Sequence, residues 1–132
     1  MKKSAYLLIC LLMLVVGCNK YVPLKGTVVF SDDGTPLTTG SVIFESGNIG
    51  ASGALNERGE FVIGSMKADD GLAPGTYNVF ISGAVKDVGE NSSRMESSIP
   101  LIHSKFGNKD TSGIVINVDK NTKNVQIKVE RP

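Results

Sequence analysis

Residues 72–82 read Leu72-Ala73-Pro74-Gly75-Thr76-Tyr77-Asn78-Val79-Phe80-Ile81-Ser82. Proline then glycine is the order a type II turn wants, because proline presets the first central φ and glycine accepts a positive second one. Beyond that expected turn, Tyr77, Val79 and Ile81 share one parity, with Asn78 and Ser82 on the other. Period two is the mark of a strand with one face on a core and one in water. Phe80 breaks the alternation, an aromatic on the polar parity, and a single exposed aromatic requires no special account.

Working outward, the same alternation recurs. Upstream, Val22, Leu24, Val28 and Phe30 oppose Lys25 and Thr27. Val42 and Phe44 oppose Ser41 and Glu45. Ala51 to Asn56 is a weaker, glycine-rich strand, and Phe61 and Ile63 oppose Glu60. Downstream, Ile114, Ile116 and Val118 oppose Asn117, and Val125, Ile127 and Val129 oppose Gln126, Lys128 and Glu130. Turn residues separate them: Asp32-Asp33-Gly34-Thr35-Pro36, then Asn56-Glu57-Arg58-Gly59 with Gly59 free to take positive φ, then Asp119 to Asn124. After residue 18 no stretch has a helical period. Seven short strands with one apolar face each predict an all-β fold, a seven-stranded antiparallel two-sheet sandwich. Val28, Phe44, Phe61, Tyr77, Val79, Ile116 and Ile127 are its expected core.

Gly83 to Thr111 departs from the pattern. It is long, polar and poor in strand formers, above all from Asp87 to Ser98. Loops of this length in compact domains are functional or disordered, so residues 83–111 are either the partner site or a mobile insertion with no partner. Ile99-Pro100-Leu101-Ile102 and Phe106 are expected to pin the second half of the loop to the sandwich edge.

The N-terminus decides location. Met1 to Cys18 reads MKKSAYLLICLLMLVVGC. Lys2 and Lys3 form a basic region, an apolar run follows from Ala5 to Val16, and Val15-Val16-Gly17 precedes Cys18. The run is too short for a comfortable bilayer span and fits an export signal. It resembles the bacterial lipobox, with valine at −3 where leucine is commoner. That resemblance implies a signal peptide over residues 1–17 and lipidation of Cys18, whose thiolate takes a diacylglyceryl chain. Residues 18–21 then form a lipidated tether and residues 22–132 the domain, enough chain for one modest core. Asn19 follows the cysteine, and no aspartate there signals inner-membrane retention. A cell-envelope protein held by lipid, with the outer membrane favoured over the inner, is the expectation.

Composition narrows the rest. The chain carries a net charge of +1, and the loss of Lys2 and Lys3 leaves the mature part near neutral, so no basic field points to nucleic acid. Cys10 leaves with the signal and Cys18 takes lipid, so no cysteine remains for a disulfide.

Several pieces together resemble the carboxypeptidase-regulatory-like domain, a small transthyretin-like (prealbumin-like) sandwich. They are Gly26-Thr27-Val28-Val29, Gly34-Thr35-Pro36-Leu37, Gly40-Ser41-Val42-Ile43-Phe44, Asn56-Glu57-Arg58-Gly59-Glu60-Phe61 and Leu72-Ala73-Pro74-Gly75-Thr76-Tyr77-Asn78-Val79. Lys105-Phe106 followed by Thr111-Ser112-Gly113 is similar to short bacterial lipoproteins of this type. The resemblance implies a prealbumin-like fold and an accessory, adhesive or structural role. In such a turn Tyr77 can bury its ring and offer its hydroxyl to a neighbouring backbone group, as in tyrosine-corner arrangements.

No residue is assigned to catalysis, a metal or a cofactor. His103 is the one histidine, beside Ser104 in the irregular segment, and reads as a solvated loop residue rather than a triad or zinc ligand. The transthyretin-like hydrolases of hydroxyisourate use several histidines and a C-terminal Tyr-Arg-Gly-Ser, whereas this chain ends Val129-Glu130-Arg131-Pro132. Asp32-Asp33-Gly34 and Asp69-Asp70-Gly71 are oxygen-rich turns without the carboxylate spacing of an EF-hand. As a glycosidase pair they lack an aromatic cleft. Asn91-Ser92-Ser93 matches a glycosylation sequon that a bacterial lipoprotein does not use. The expected function is a non-enzymatic structural or protein-interaction module. Its expected partners are the membrane, through lipid on Cys18, and an envelope protein or glycan. A carbohydrate- or small-ligand-binding surface module is the alternative.

Overall fold

A computed structural model describes residues 21–64, 71–87 and 98–132. Within them the chain forms nine strands: β1 (Leu24–Phe30), β2 (Ser41–Ser46), β3 (Ile49–Ala54), β4 (Glu60–Ile63), β5 (Gly75–Ser82), β6 (Val85–Asp87), β7 (Ser98–Pro100), β8 (Ile114–Val118) and β9 (Asn124–Val129). Seven of these make two sheets, β4-β1-β9 and β3-β2-β5-β8, and β6 and β7 pair separately. The two sheets contain the seven strands that alternation marks in the sequence, and the fold is the expected all-β two-sheet sandwich. Among the described residues no helix is long and apolar enough to cross a membrane.

One ladder differs from the all-antiparallel expectation. β1 runs parallel to β9, with Lys25 opposite Asn124 and Phe30 opposite Val129. The first and last strands share a sheet although nearly the whole chain lies between them. Alternation along a strand sets which face is buried; it carries nothing about the direction of a distant neighbour. The other ladders are antiparallel.

Burial follows the alternation. Leu24, Val28, Phe44, Phe61, Ile63, Tyr77, Val79, Ile81, Ile127 and Val129 all lie in the core. The Phe44 ring joins the sheets, at 6.3 Å from Phe61 and 6.1 Å edge-on to Tyr77. These spacings lie within the favoured range for tilted aromatic pairs. Gly26 holds an inward position on β1, and a Cβ there would run into the Phe61 ring and the Val125 carbonyl oxygen. The missing side chain is the room the Phe61 ring occupies. Of the expected core residues Ile116 alone is half-buried, because β8 is the outermost strand of its sheet and has a neighbour on one side only.

The turns use the chemistry their residues offer. Asn56 Oδ1 accepts from the backbone N–H of Arg58 and of Glu60, each at 2.9 Å, and Gly59 takes φ +72°, as its place in the turn requires. Pro74-Gly75 corrects the reading from sequence. Gly75 sits at φ 159°, far from the roughly +80° of a type II turn. It is already the first residue of β5, paired with Val118, and the ladder holds it extended.

The stretch from Gly83 to Thr111 is also more ordered at its ends than its composition suggests. Val85 pairs with Pro100 and Asp87 with Ser98, so its first half begins and ends as a hairpin. Beyond the hairpin a 3₁₀ turn, Ser104–Gly107, buries Phe106, and Ile102 is buried as well. Ile102 and Phe106 anchor the second half, as expected, whereas Ile99 is 52% exposed and does not.

Candidate functional site

The polar groups that could do chemistry sit at one end of the sandwich, where β1 and β9 finish. His103 lies at the start of the 3₁₀ turn. Its backbone N–H donates to the Glu130 carbonyl oxygen at 2.8 Å, and its Nδ1 accepts from the Lys105 N–H at 3.2 Å. The imidazole therefore caps a turn, and among the described residues no nucleophile or carboxylate side chain is one of its hydrogen-bond partners. Lys105 Nζ meets Glu130 Oε2 at 2.8 Å, and that hydrogen bond holds the Glu130 carboxyl below its ordinary range. Ser112 is buried, but its Oγ donates to the Val79 carbonyl oxygen at 2.6 Å and accepts from the Ile114 N–H. Its hydroxyl serves the backbone at the β5 edge. Segment 102–112 is thereby a side wall, tied to β9 through Glu130 and to β5 through Val79. The second half of residues 83–111 thus closes the sandwich, as its expected pinning to the edge implies.

The Asp32-Asp33 pair, which sequence leaves open as a calcium turn, is occupied by the protein itself. Arg131 Nε donates to Asp32 Oδ2 and its NH2 group to Asp33 Oδ2, both at 3.0 Å. The guanidinium carbon stands 3.9 Å from the centre of the Phe30 ring, a cation–π stack on the outgoing end of β1. Asp33 Oδ1 accepts from the Thr35 N–H at 3.0 Å and the Thr35 hydroxyl at 2.7 Å. The Thr35 bonds, with the nearby Arg131 charge, lower the Asp33 carboxyl from 3.8 to about 2. This clasp was not legible in the sequence, since Arg131 and its carboxylates lie almost a chain length apart. Elsewhere Lys109 Nζ reaches Glu45 Oε1 at 2.9 Å, and that bond raises the Lys109 ammonium above its usual value.

Among the described residues no three His, Cys, Asp or Glu side chains come together as a metal cluster. Cys18, the Asp69-Asp70 pair and the Asn91 sequon lie outside the described residues. Two shallow grooves mark the sheet faces. One, of about 490 Å³, runs beside Ile43, Glu45 and Ile49. The other, of about 420 Å³, is lined by Lys25, Thr27, Asn56, Glu60 and Asn124. The Phe61 ring that borders the second groove is turned into the core, 1% exposed, so this groove has no aromatic shelf for a sugar ring. A further candidate surface among the described residues is the β6–β7 hairpin. Lys86, Asp87, Ser98, Ile99 and Pro100 are all exposed on it.

No protein-family model matches the chain, and no curated protein matches it. Among solved structures it is similar to the major pilin subunit BcpA of Bacillus cereus, at 11% identity and a TM-score of 0.50. The match covers 84% of this chain and 30% of that one. A variant of the same subunit matches at 13% identity and a TM-score of 0.48, over 85% of this chain and 30% of that one. The chain thus spans about a third of the pilin subunit's length. The likeness is one of fold.

Proposed function

We propose that the protein is a lipid-anchored, non-enzymatic cell-envelope module whose sandwich serves structure or protein interaction. The observation that carries this reading is the apolar leader ending in Gly17-Cys18, followed by a domain whose described backbone pairing begins at Val22. Residues 1–17 act as the signal, Cys18 carries the diacylglyceryl group, residues 18–21 are the tether, and residues 22–132 form the domain, of carboxypeptidase-regulatory-like type. Asn19 beside the lipidated cysteine favours the outer membrane. The non-enzymatic part draws support from the use made of His103, Asp33 and Ser112, each engaged in holding backbone or a turn. The fold likeness to a pilin subunit fits a structural role.

The contact surface in this reading is the β6–β7 hairpin, whose backbone is paired while its side chains face water. Mass spectrometry of the mature N-terminus tests the anchor: a diacylglyceryl group on Cys18 is expected, and an unmodified Cys18 or cleavage elsewhere overturns it. Affinity recovery from detergent-solubilised envelope tests the module, with a specific envelope protein as the expected product. A carbohydrate- or small-ligand-binding role is the second reading. It draws on the polar groove at Lys25, Asn56, Glu60 and Asn124, and glycan-array binding lost in Asn56→Ala would favour it.

A further inference from the structure

The topology decides which end of the sandwich the tether reaches. Val22 is fixed by two backbone bonds to Leu72, at 2.6 and 2.8 Å, just before β1. Four Cα steps separate it from Cys18, a span of at most about 14 Å when fully extended. The start of β1 lies beside the start of β9, since Lys25 pairs with Asn124, and the Lys25 N–H donates to the Lys123 carbonyl oxygen at 3.1 Å. The β8–β9 turn, Asp119 to Lys123, therefore stands at the same pole as the tether. Tyr21, the last tether residue, is 45% exposed there.

Among the described residues that pole is the more cationic of the two. Lys25, Lys120 and Lys123 are exposed, and among the described residues none of them lies in an ion pair. Asp119, on the same turn, spends its Oδ1 on the N–H groups of Asn121 and Thr122. Toward the opposite pole, Arg58, Lys105 and Arg131 are each paired with carboxylates, and the exposed Lys86 and Lys128 are outnumbered by the exposed Asp32, Asp33, Glu57, Asp87 and Glu130. Lysines attract an anionic lipid surface only within about a Debye length, 8–10 Å at physiological salt. A lipid on Cys18 brings this pole, and no other, into that range. An exposed tyrosine is at home at the headgroup level.

We infer that the pole formed by Tyr21, Lys25, Lys120 and Lys123 docks on anionic lipid headgroups. The docked domain stands upright, with the β6–β7 hairpin and the Arg131 clasp on the far side. This rests on the lipid anchor proposed above. β1 alone adds about 20 Å between the two poles, so docking sets the hairpin clear of the membrane and open to a partner.

The test uses the full lipidated protein in phosphatidylcholine vesicles, with or without phosphatidylglycerol. The processed chain has no free thiol once Cys18 is acylated, so Asn121→Cys and Glu57→Cys each place one fluorophore, at the near and far poles. Quenching by brominated lipid is expected to be several-fold stronger at position 121 than at 57 in phosphatidylglycerol vesicles. The difference is expected to fall in pure phosphatidylcholine, and in the combined Lys25→Gln, Lys120→Gln, Lys123→Gln variant while flotation with vesicles persists. Equal quenching at both positions, with lipid verified on Cys18 by mass spectrometry, overturns the docking and leaves the anchor standing. Absence of lipid on Cys18 overturns both.

Discussion

The Tyr77 hydroxyl donates to the carbonyl oxygen of Ala73, four residues upstream, at 2.7 Å. The ring is 2% exposed and stands edge-on to Phe44, so one side chain fastens the entry of β5 to the core and satisfies a backbone oxygen where the chain bends. Burial pushes its phenol above the ordinary value of 10.0. Tyr77→Phe keeps the ring and removes the donor. A loss of about 0.5–1.5 kcal/mol is expected, read from the urea midpoint at unchanged slope. No change in midpoint would show that solvent satisfies Ala73 equally well.

Phe61→Ala empties the space between Phe44 and Gly26. The side chain is 1% exposed, and truncating a buried phenylalanine costs about 3–5 kcal/mol, a large share of a small domain's stability. Gly26→Ala attacks the same contact from the other side, where an added methyl meets the Phe61 ring, and is expected to destabilise as well. Equilibrium unfolding of both variants checks this, and wild-type stability in either would contradict the contact.

Asp33 makes the clasp sensitive to acid. Its carboxyl is lowered from 3.8 to about 2 in the folded protein, first by the Thr35 N–H and hydroxyl, with Arg131 adding to them. A depressed carboxyl stabilises the fold above its unfolded value and loses that contribution as pH falls through the folded one. The contribution is therefore intact at neutral pH and lost between 3.8 and about 2. Asp33→Asn should flatten the stability profile in that window, and an NMR titration should place the Asp33 midpoint near the lower end. A midpoint at the ordinary value would show that the Thr35 bonds to Asp33 do not form in solution.

Cys18→Ala should remove the protein from the membrane fraction or leave the signal uncleaved. Stable attachment needs the paired chains of a diacylglyceryl group, since a single chain binds marginally. Fractionation and immunoblotting read the outcome, and undiminished membrane retention of a processed Cys18→Ala protein would refute lipid anchoring.

Residues 88–97 should be replaceable by Asn-Gly. Asp87 and Ser98 are a facing pair, the geometry a two-residue hairpin loop closes, and shortening the connection between them costs little in closure entropy. The expected product folds with near-native thermal stability, keeps its membrane attachment and loses partner recovery. If it unfolds, the segment is structural; if it recovers the same partners, residues 88–97 are dispensable and the binding surface lies on the retained hairpin strands or another face.

Alternation alone determined much of this protein. Tyr77, Val79 and Ile81 against Asn78 and Ser82 fix the buried face of β5, because a side-chain period of two leaves one face for the core. The same reading found the seven strands of the two sheets and the turn at Asn56 to Gly59, all set by neighbours a few residues apart. The tertiary structure alone decided the relations between distant segments. It set β9 parallel to β1, placed Ile116 on an edge strand, closed β6 on β7, and brought Arg131 onto Asp32, Asp33 and Phe30. Each depends on which strand lies beside which, and local periodicity holds no record of that. The tether follows the same division: the sequence puts Cys18 four residues before Val22, and the pairing of Lys25 with Asn124 decides that the lysines of the β8–β9 turn share that end of the molecule.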